Sequence, residues 1–230
     1  MTDRNTTADS RNFSAVALRL YSHLVRRQIS DAKGLIDRYL QRLVPEQVHM
    51  EIILPAIGLA GSKVVLNEIP EETARAVFAY FDQLLKLCRA QMNRQPPLGL
   101  EMHAVSLPGE LHGAGLKVIC DWLWRDGWNT HLDDCGTNED VLAAHLLKTP
   151  HHMVAISCST PRQATAARRL IRHLRRGGFA GSIWIGGMAI NAFPKLFERS
   201  GADHTAPDIV RFTRELATEF GYSTATPPYL

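Results

Sequence analysis

The chain has 230 residues, 45% hydrophobic and 21% charged, with a formal net charge of +3. That is enough for one large domain or two small ones with a sizeable core, and the balance is too weakly basic to announce nucleic acid. The cysteines, Cys88, Cys120, Cys135 and Cys158, lie far apart with no Cys-x-x-Cys pair, which argues against a zinc ribbon or redox dithiol and fits reduced thiols in a cytosolic protein.

The polar start MTDRNTTADSRN is read as a frayed end rather than a secretory leader, and no apolar run reaches membrane-span length. In FSAVALRLYSHLVRR, Val16, Leu20 and Leu24 recur at helical spacing beside Ala17, Tyr21 and Val25. Shorter helices are expected over about 31–44 and 46–62. The segment PEETARAVFAYFDQLLKLCRA opens with Pro70 and acids suited to a helix start. It places Ala74, Val77, Phe78, Phe81, Leu84, Leu85 and Cys88 on one broad face. Four such helices imply a small bundle. Pro96, Pro97 and Gly99 in NRQPPLGL then divide the chain into regions 1–95 and 96–230.

Beyond residue 100 the rhythm changes. MHAVSL reads as a strand, followed by a helix from about 113 to 126, and WNTHL as a second strand. TNEDVLAAHLLK begins with Thr137 and Asp140 at capping-box spacing. HMVAIS reads as a buried strand, and the next helix takes Thr160 as N-cap, Pro161 in its first turn and Gln163 three residues past the cap. SIWIGG is a fourth strand, AINAFPKLFERSGA follows, and a last helix is expected near 207–219. Alternating strands and helices predict an α/β unit with a parallel sheet covered on both faces.

Ligands of such sheets bind beyond the carboxyl ends of the strands. Four segments fall there: LPGELHGAG, WNTHLDDCG, ISCSTP and WIGGMAIN. The first carries His112, a potential metal ligand, and Glu110, which could accept a hydrogen bond from the other ring nitrogen and so fix the tautomer. Ser157, Ser159 and Thr160 supply hydroxyls. Gly186 and Gly187, followed by Met188, remove side chains where a large ligand must approach backbone.

These residues carry a resemblance. Glu110-Leu111-His112-Gly113-Ala114-Gly115, then Ser157-Cys158-Ser159-Thr160, then Gly186-Gly187, with GAD at 201–203, resemble the motifs of the cobalamin-binding domains of methionine synthase, corrinoid proteins and cobalamin photoreceptors. Glu110 stands where that family has Asp. The resemblance spans roughly residues 101–220 and implies a Rossmann-like α/β fold binding cobalamin base-off and His-on. His112 would be the lower axial cobalt ligand. Glu110, Gly113, Gly115, Ser157, Ser159, Thr160, Gly186, Gly187 and Met188 would form the rest of the cofactor site, with the displaced dimethylbenzimidazole tail beside the third and fourth strands.

The first half resembles the helical cap of the same proteins over EIILPAIGLAGSKVVLNEIPEETARAVFAYFDQLL, although the family's Trp is missing near Lys63 and Glu-Glu-Thr replaces Glu-His at Glu71–Thr73. In size, element order and the Glu-x-His-x-x-Gly variant the chain is most similar to the AerR/PpaA group of cobalamin-dependent antirepressors. That likeness implies a cytoplasmic, light-responsive regulator rather than an enzyme. It would bind alkylcobalamin or, preferentially, hydroxo- or aquocobalamin, and antagonise a CrtJ/PpsR-type repressor of photosystem genes, with DNA contact direct or through that partner left open. A corrinoid carrier for methyl transfer and a haem-binding sensor on the same scaffold remain the alternatives.

Plainer roles stay open beside these. His112 and Glu110 suit a helix entry, the hydroxyls of 157–160 can serve as caps, and the two glycines can be a strand-to-helix turn. Arg162, Arg168, Arg169, Arg172, Arg175 and Arg176 form a basic face that is either solvated or turned to DNA or an acidic partner. Trp122 and Trp124, two apart on a helix, cannot share one face. A further axial ligand could come from one of the other histidines.

Overall fold

The computed structural model describes residues 5–108, 113–134, 138–149 and 151–225. By its contacts the chain falls into two units, Met1–Met92 and Asn93–Leu230. The first is helical: α1 (Asn5–Val25), α2 (Ile29–Leu40), α3 (Pro45–Val48), a π-helical segment His49–Ile53, α4 (Leu54–Val65) and α5 (Glu71–Arg89). The stretch expected as one helix over 46–62 is thus interrupted. Pro55 has no N–H to give to the fourth residue back, and its ring crowds that carbonyl. The turn before it widens, with the Leu54 N–H reaching the His49 carbonyl five residues away. Leu20, Leu24, Ile36, Ile52, Ile53, Phe81, Leu84 and Leu85 fill the core. On α5 the expected face is buried except at Phe78, which is only partly covered.

The second unit is a parallel four-stranded sheet of β1 (Glu101–Ser106), β2 (Asn129–Asp134), β3 (Met153–Ser157) and β4 (Ser182–Gly186) in the order β2-β1-β3-β4. The connections hold α6 (Ala114–Arg125), α7 (Glu139–Leu146) and α8 (Pro161–Arg176). After β4 come α9 (Met188–Ala192), α10 (Lys195–Glu198) and α11 (Ile209–Phe220). Alternation along the strands sorts two cores. Met102, Ala104, Met153, Ala155 and Trp184 pack with Leu116, Leu123, Trp128, Phe212 and Leu216, on the α6 and α11 face. Val105, Val154, Ile156, Ile183 and Ile185 pack with Leu142, Leu146, Leu170 and Leu174, on the α7 and α8 face. This is the Rossmann-like layering expected of alternating elements.

Local signals set the helix entries. Thr160 caps α8, its hydroxyl accepting from the Gln163 N–H at 3.3 Å while the Gln163 side chain accepts from the Thr160 N–H at 3.0 Å. At α7 Asn138 is the cap, accepting from the N–H groups of Asp140 and Val141; Thr137, the expected cap, lies outside the described residues. Trp122 and Trp124 divide as the helix period requires. Trp122 is fully buried, and Trp124 is partly covered with the Arg94 guanidinium 5.3 Å from its ring centre. The basic face of α8 is not simply solvated. Arg169 binds Glu139, and Arg175 binds Asp203 and the carbonyls of Phe179 and Gly181. Among the described residues no helix is long and apolar enough to cross a membrane.

Candidate functional site

The strand order makes β1 a switch point: the chain leaves it to one side for β2 and returns on the other for β3. Open parallel sheets bind ligands in the crevice outside the carboxyl ends of such strands. Three exits lie side by side on β1, β3 and β4. From β1 the chain passes buried Leu107 and then Pro108. Glu110 and His112 come next, and both lie outside the described residues. Gly113 then N-caps α6, so the motif bridges the switch-point strand and the first crossover helix. Gly115 is exposed in the first turn, and a Cβ on Gly113 or Gly115 would meet nothing within 4 Å.

At the β3 exit Cys158 is buried and its N–H donates to the Gly186 carbonyl at 2.8 Å, tying this loop to β4. Ser157 and Ser159 are partly exposed and Thr160 is exposed. The N–H groups of Ser159 and Thr160 both donate to the Gln163 side-chain oxygen, at 2.8 and 3.0 Å. The β4 exit corrects one sequence argument. Gly187 is glycine first because of its own chain. Its φ is +104°, and a Cβ there would stand 2.6 Å from the Cys158 carbonyl oxygen. Gly186 is different: a Cβ there would meet only the Ala206 carbonyl oxygen, at 3.9 Å. The backbone at Gly186 is therefore not closed off by its own chain as it is at Gly187. Met188 stands exposed beside it.

Next to these exits opens a cavity of about 690 Å³, lined by Pro108, Glu139, Thr160, Arg162, Gln163 and Arg169 among others. Thr160 thus serves both as cap and as wall. The Arg169 guanidinium bonds Glu139 at 2.5 Å, and this bond holds the Glu139 carboxyl below its usual range against the opposing effect of burial. Gln163 was legible only as a capping residue. Its oxygen is spent on the cap, and its amide nitrogen is buried with no partner. A buried N–H left over costs about 1–3 kcal/mol, and a ligand rich in carbonyl groups would satisfy it.

Residues 102–213 match the B12 binding domain family. The second unit is a cobalamin-binding domain. Among solved structures, the monomethylamine corrinoid protein of Methanosarcina barkeri aligns with a TM-score of 0.65 at 15% identity, over 87% of this chain and 96% of its own. That likeness is one of fold. A cobalamin-binding protein from Desulfitobacterium hafniense DCB-2 aligns at 12% identity over 90% of this chain and 98% of its own, with a TM-score of 0.46. The methanol:cobalamin methyltransferase complex of Methanosarcina barkeri aligns at 14% identity over 89% and 79%, with a TM-score of 0.45. No curated protein matches the chain.

The described residues fit this cofactor. Cobalamin carries a rim of amide side chains and a long nucleotide tail, and the site offers a sizeable cavity, the unpartnered Gln163 amide and the open backbone at Gly186. Gln163→Glu keeps both cap acceptors and removes the free donor. It places a carboxyl at a buried position, so it is expected to lower the melting temperature somewhat and, well below that transition, to weaken cobalamin binding by about threefold to tenfold, the worth of one neutral hydrogen bond. Calorimetric titration reads this directly, and an unchanged affinity would mean that the amide faces no part of the cofactor.

Proposed function

We propose that the chain is a light-responsive, cobalamin-dependent transcriptional regulator that relieves a CrtJ/PpsR-type repressor and is not an enzyme. The observation that carries this reading is what occupies the cap positions. Where the resemblance places the upper-face Trp, Lys63 is ion-paired with Glu68; where it places Glu-His, Glu71 is paired with Arg75 at 2.5 Å. All four side chains are 39% exposed or more. These are solvated ion pairs, not an aromatic lid over a reacting cobalt–carbon bond.

In this reading His112 would be the cobalt ligand, and Glu110 would accept a hydrogen bond from its other ring nitrogen, fixing the tautomer and raising ligand basicity. Gly186 keeps the backbone open to the nucleotide tail, while Thr160 and Gln163 form the neighbouring wall. A bound alkylcobalamin supplies a cobalt–carbon bond that light can break. The protein's part is to hold the forms before and after with different affinities, because a ligand shifts a conformational equilibrium only by its differential binding. A tenfold preference corresponds to about 1.4 kcal/mol; a working switch needs more.

Hydroxocobalamin, or the photoproduct of an alkylcobalamin, is therefore expected to bind more than tenfold tighter than adenosylcobalamin kept in the dark. The loaded protein should capture the repressor only after illumination. A second reading, a corrinoid carrier for methyl transfer, draws support from the fold likeness to the monomethylamine corrinoid protein over 87% of this chain. Dark and light titrations followed by repressor pull-down separate the two. Equal binding and unchanged capture in dark and light would remove the photoreceptor reading and favour the carrier.

A further inference from the structure

On the α7 and α8 face of the sheet stands a group of histidines with no part in the cobalamin site described above. His103 on β1 is 2% exposed. Its Nδ1 lies 2.5 Å from the Asp133 carboxylate on β2, and its Nε2 is buried without a partner. The other Asp133 oxygen lies 3.8 Å from Nε2 of His145 on α7. His131 stacks on His103 with ring centres 4.7 Å apart, and its own Nε2 is bonded to Glu101 at 2.9 Å. His151 packs on the other side at 4.9 Å.

A His–Asp hydrogen bond alone explains the His103–Asp133 pair. It does not explain His145. A separation of 3.8 Å is too long for a hydrogen bond and close to the spacing of two donors on one metal: bonds of about 2.0–2.1 Å in tetrahedral array hold donors about 3.4 Å apart. Among the described residues, His103, Asp133 and His145 are the group whose donor atoms can close on one ion, all within 4.8 Å of one another. His145 is half-exposed (57%) on the helix surface and can swing toward the ion, while the Asp133 carboxylate must turn to open its 2.5 Å bond with the buried His103 to the donor spacing.

We propose that His103, Asp133 and His145 form a second metal site, for a zinc-type divalent cation, joining β1, β2 and α7. Two imidazoles and one carboxylate select a borderline ion such as Zn²⁺ over Mg²⁺ or Ca²⁺, which demand oxygen donors. Three protein ligands leave one position for water, on the side where His145 meets solvent. The cation would take the place of the hydrogen between His103 Nδ1 and the Asp133 carboxylate, and that hydrogen would move to Nε2, the other nitrogen of the neutral ring.

The test is competition for Zn²⁺ between the full-length chain and a chromophoric chelator, with and without cobalamin. The chain is expected to take up one zinc that His145→Ala and Asp133→Asn bind at least tenfold more weakly. His145→Ala changes an exposed side chain, so its folding is not in question. His173→Ala, which removes another half-exposed histidine paired with an acid, and His112→Ala should both bind zinc like the parent; the latter keeps this result independent of the cobalamin reading. The zinc X-ray absorption edge should show a shell of nitrogen and oxygen only. No uptake at micromolar zinc, an undiminished affinity in His145→Ala, or sulfur in the shell would each overturn the proposal.

Discussion

His112→Ala is expected to abolish most cobalamin affinity, by a hundredfold or more, equivalent to about 2.7 kcal/mol. Removing a group that merely orients a metal ligand costs about 10–100-fold, and removing the ligand itself costs at least as much. Glu110→Ala belongs to the lesser class and should lose about tenfold, because the imidazole remains but loses its fixed tautomer. The two effects differ in kind as well as size. Cobalamin bound to the Glu110 variant should still show the base-off, histidine-ligated spectrum, whereas any cobalamin held by the His112 variant should not. Spectral titration with hydroxocobalamin reads both. A parental dissociation constant in His112→Ala would remove this histidine from the site.

The next largest effects come from the paired glycines, and they should separate. Gly187→Val forces a branched side chain to a φ of +104° and drives its Cβ to within 2.6 Å of the Cys158 carbonyl. Strain of this kind and overpacking each cost about 1–3 kcal/mol. The melting transition should fall by roughly 4–24 °C at about 2–4 °C per kcal/mol for a chain of this size. Gly186→Val faces only an ordinary contact at 3.9 Å. It should melt close to the parent and yet bind cobalamin at least tenfold more weakly, since the side chain fills the ligand's space. If Gly186→Val binds normally, the nucleotide tail runs elsewhere. If Gly187→Val melts like the parent, the tight turn at Cys158 is not as described.

What could be read from the sequence was mostly local. Helical periodicity placed α1 and α5, and the alternation of strand and helix signals after residue 100 gave the parallel sheet. The box at Thr160 and Gln163 was legible because both partners lie within four residues and the chemistry is side chain to backbone. At α7 the same logic slipped by one residue: Thr137 and Asn138 are both good caps, and only the backbone conformation at Asn138 decides between them. The π turn before Pro55 was present in the sequence as a proline inside an apolar run, but its effect depends on how the preceding turn can widen.

Tertiary facts were not legible. The contact that requires glycine at 187 comes from the Cys158 backbone on a neighbouring strand exit. His103, Asp133 and His145 follow no metal-ligand spacing; parallel pairing of β1 with β2 and the packing of α7 bring them together. The spare donor on Gln163 became visible only once its oxygen had been assigned to the cap. Arg175, one of six arginines on a helix, looked like part of a solvated face and instead ties the end of α8 to Asp203 and two carbonyls.

Histidine ligation of cobalt is read most directly by electron paramagnetic resonance of the protein with reduced, Co(II) cobalamin. The unpaired electron lies along the axial direction, and the nucleus of the lower ligand splits its lines. A nitrogen-14 ligand splits each line into three, a nitrogen-15 ligand into two. In protein labelled with nitrogen-15 only at histidine, with unlabelled cobalamin, the expected pattern is the two-line splitting, and it should vanish in His112→Ala. A three-line splitting that survives the labelling would mean that the cofactor's own dimethylbenzimidazole stays on cobalt, and would contradict His112 as the axial ligand.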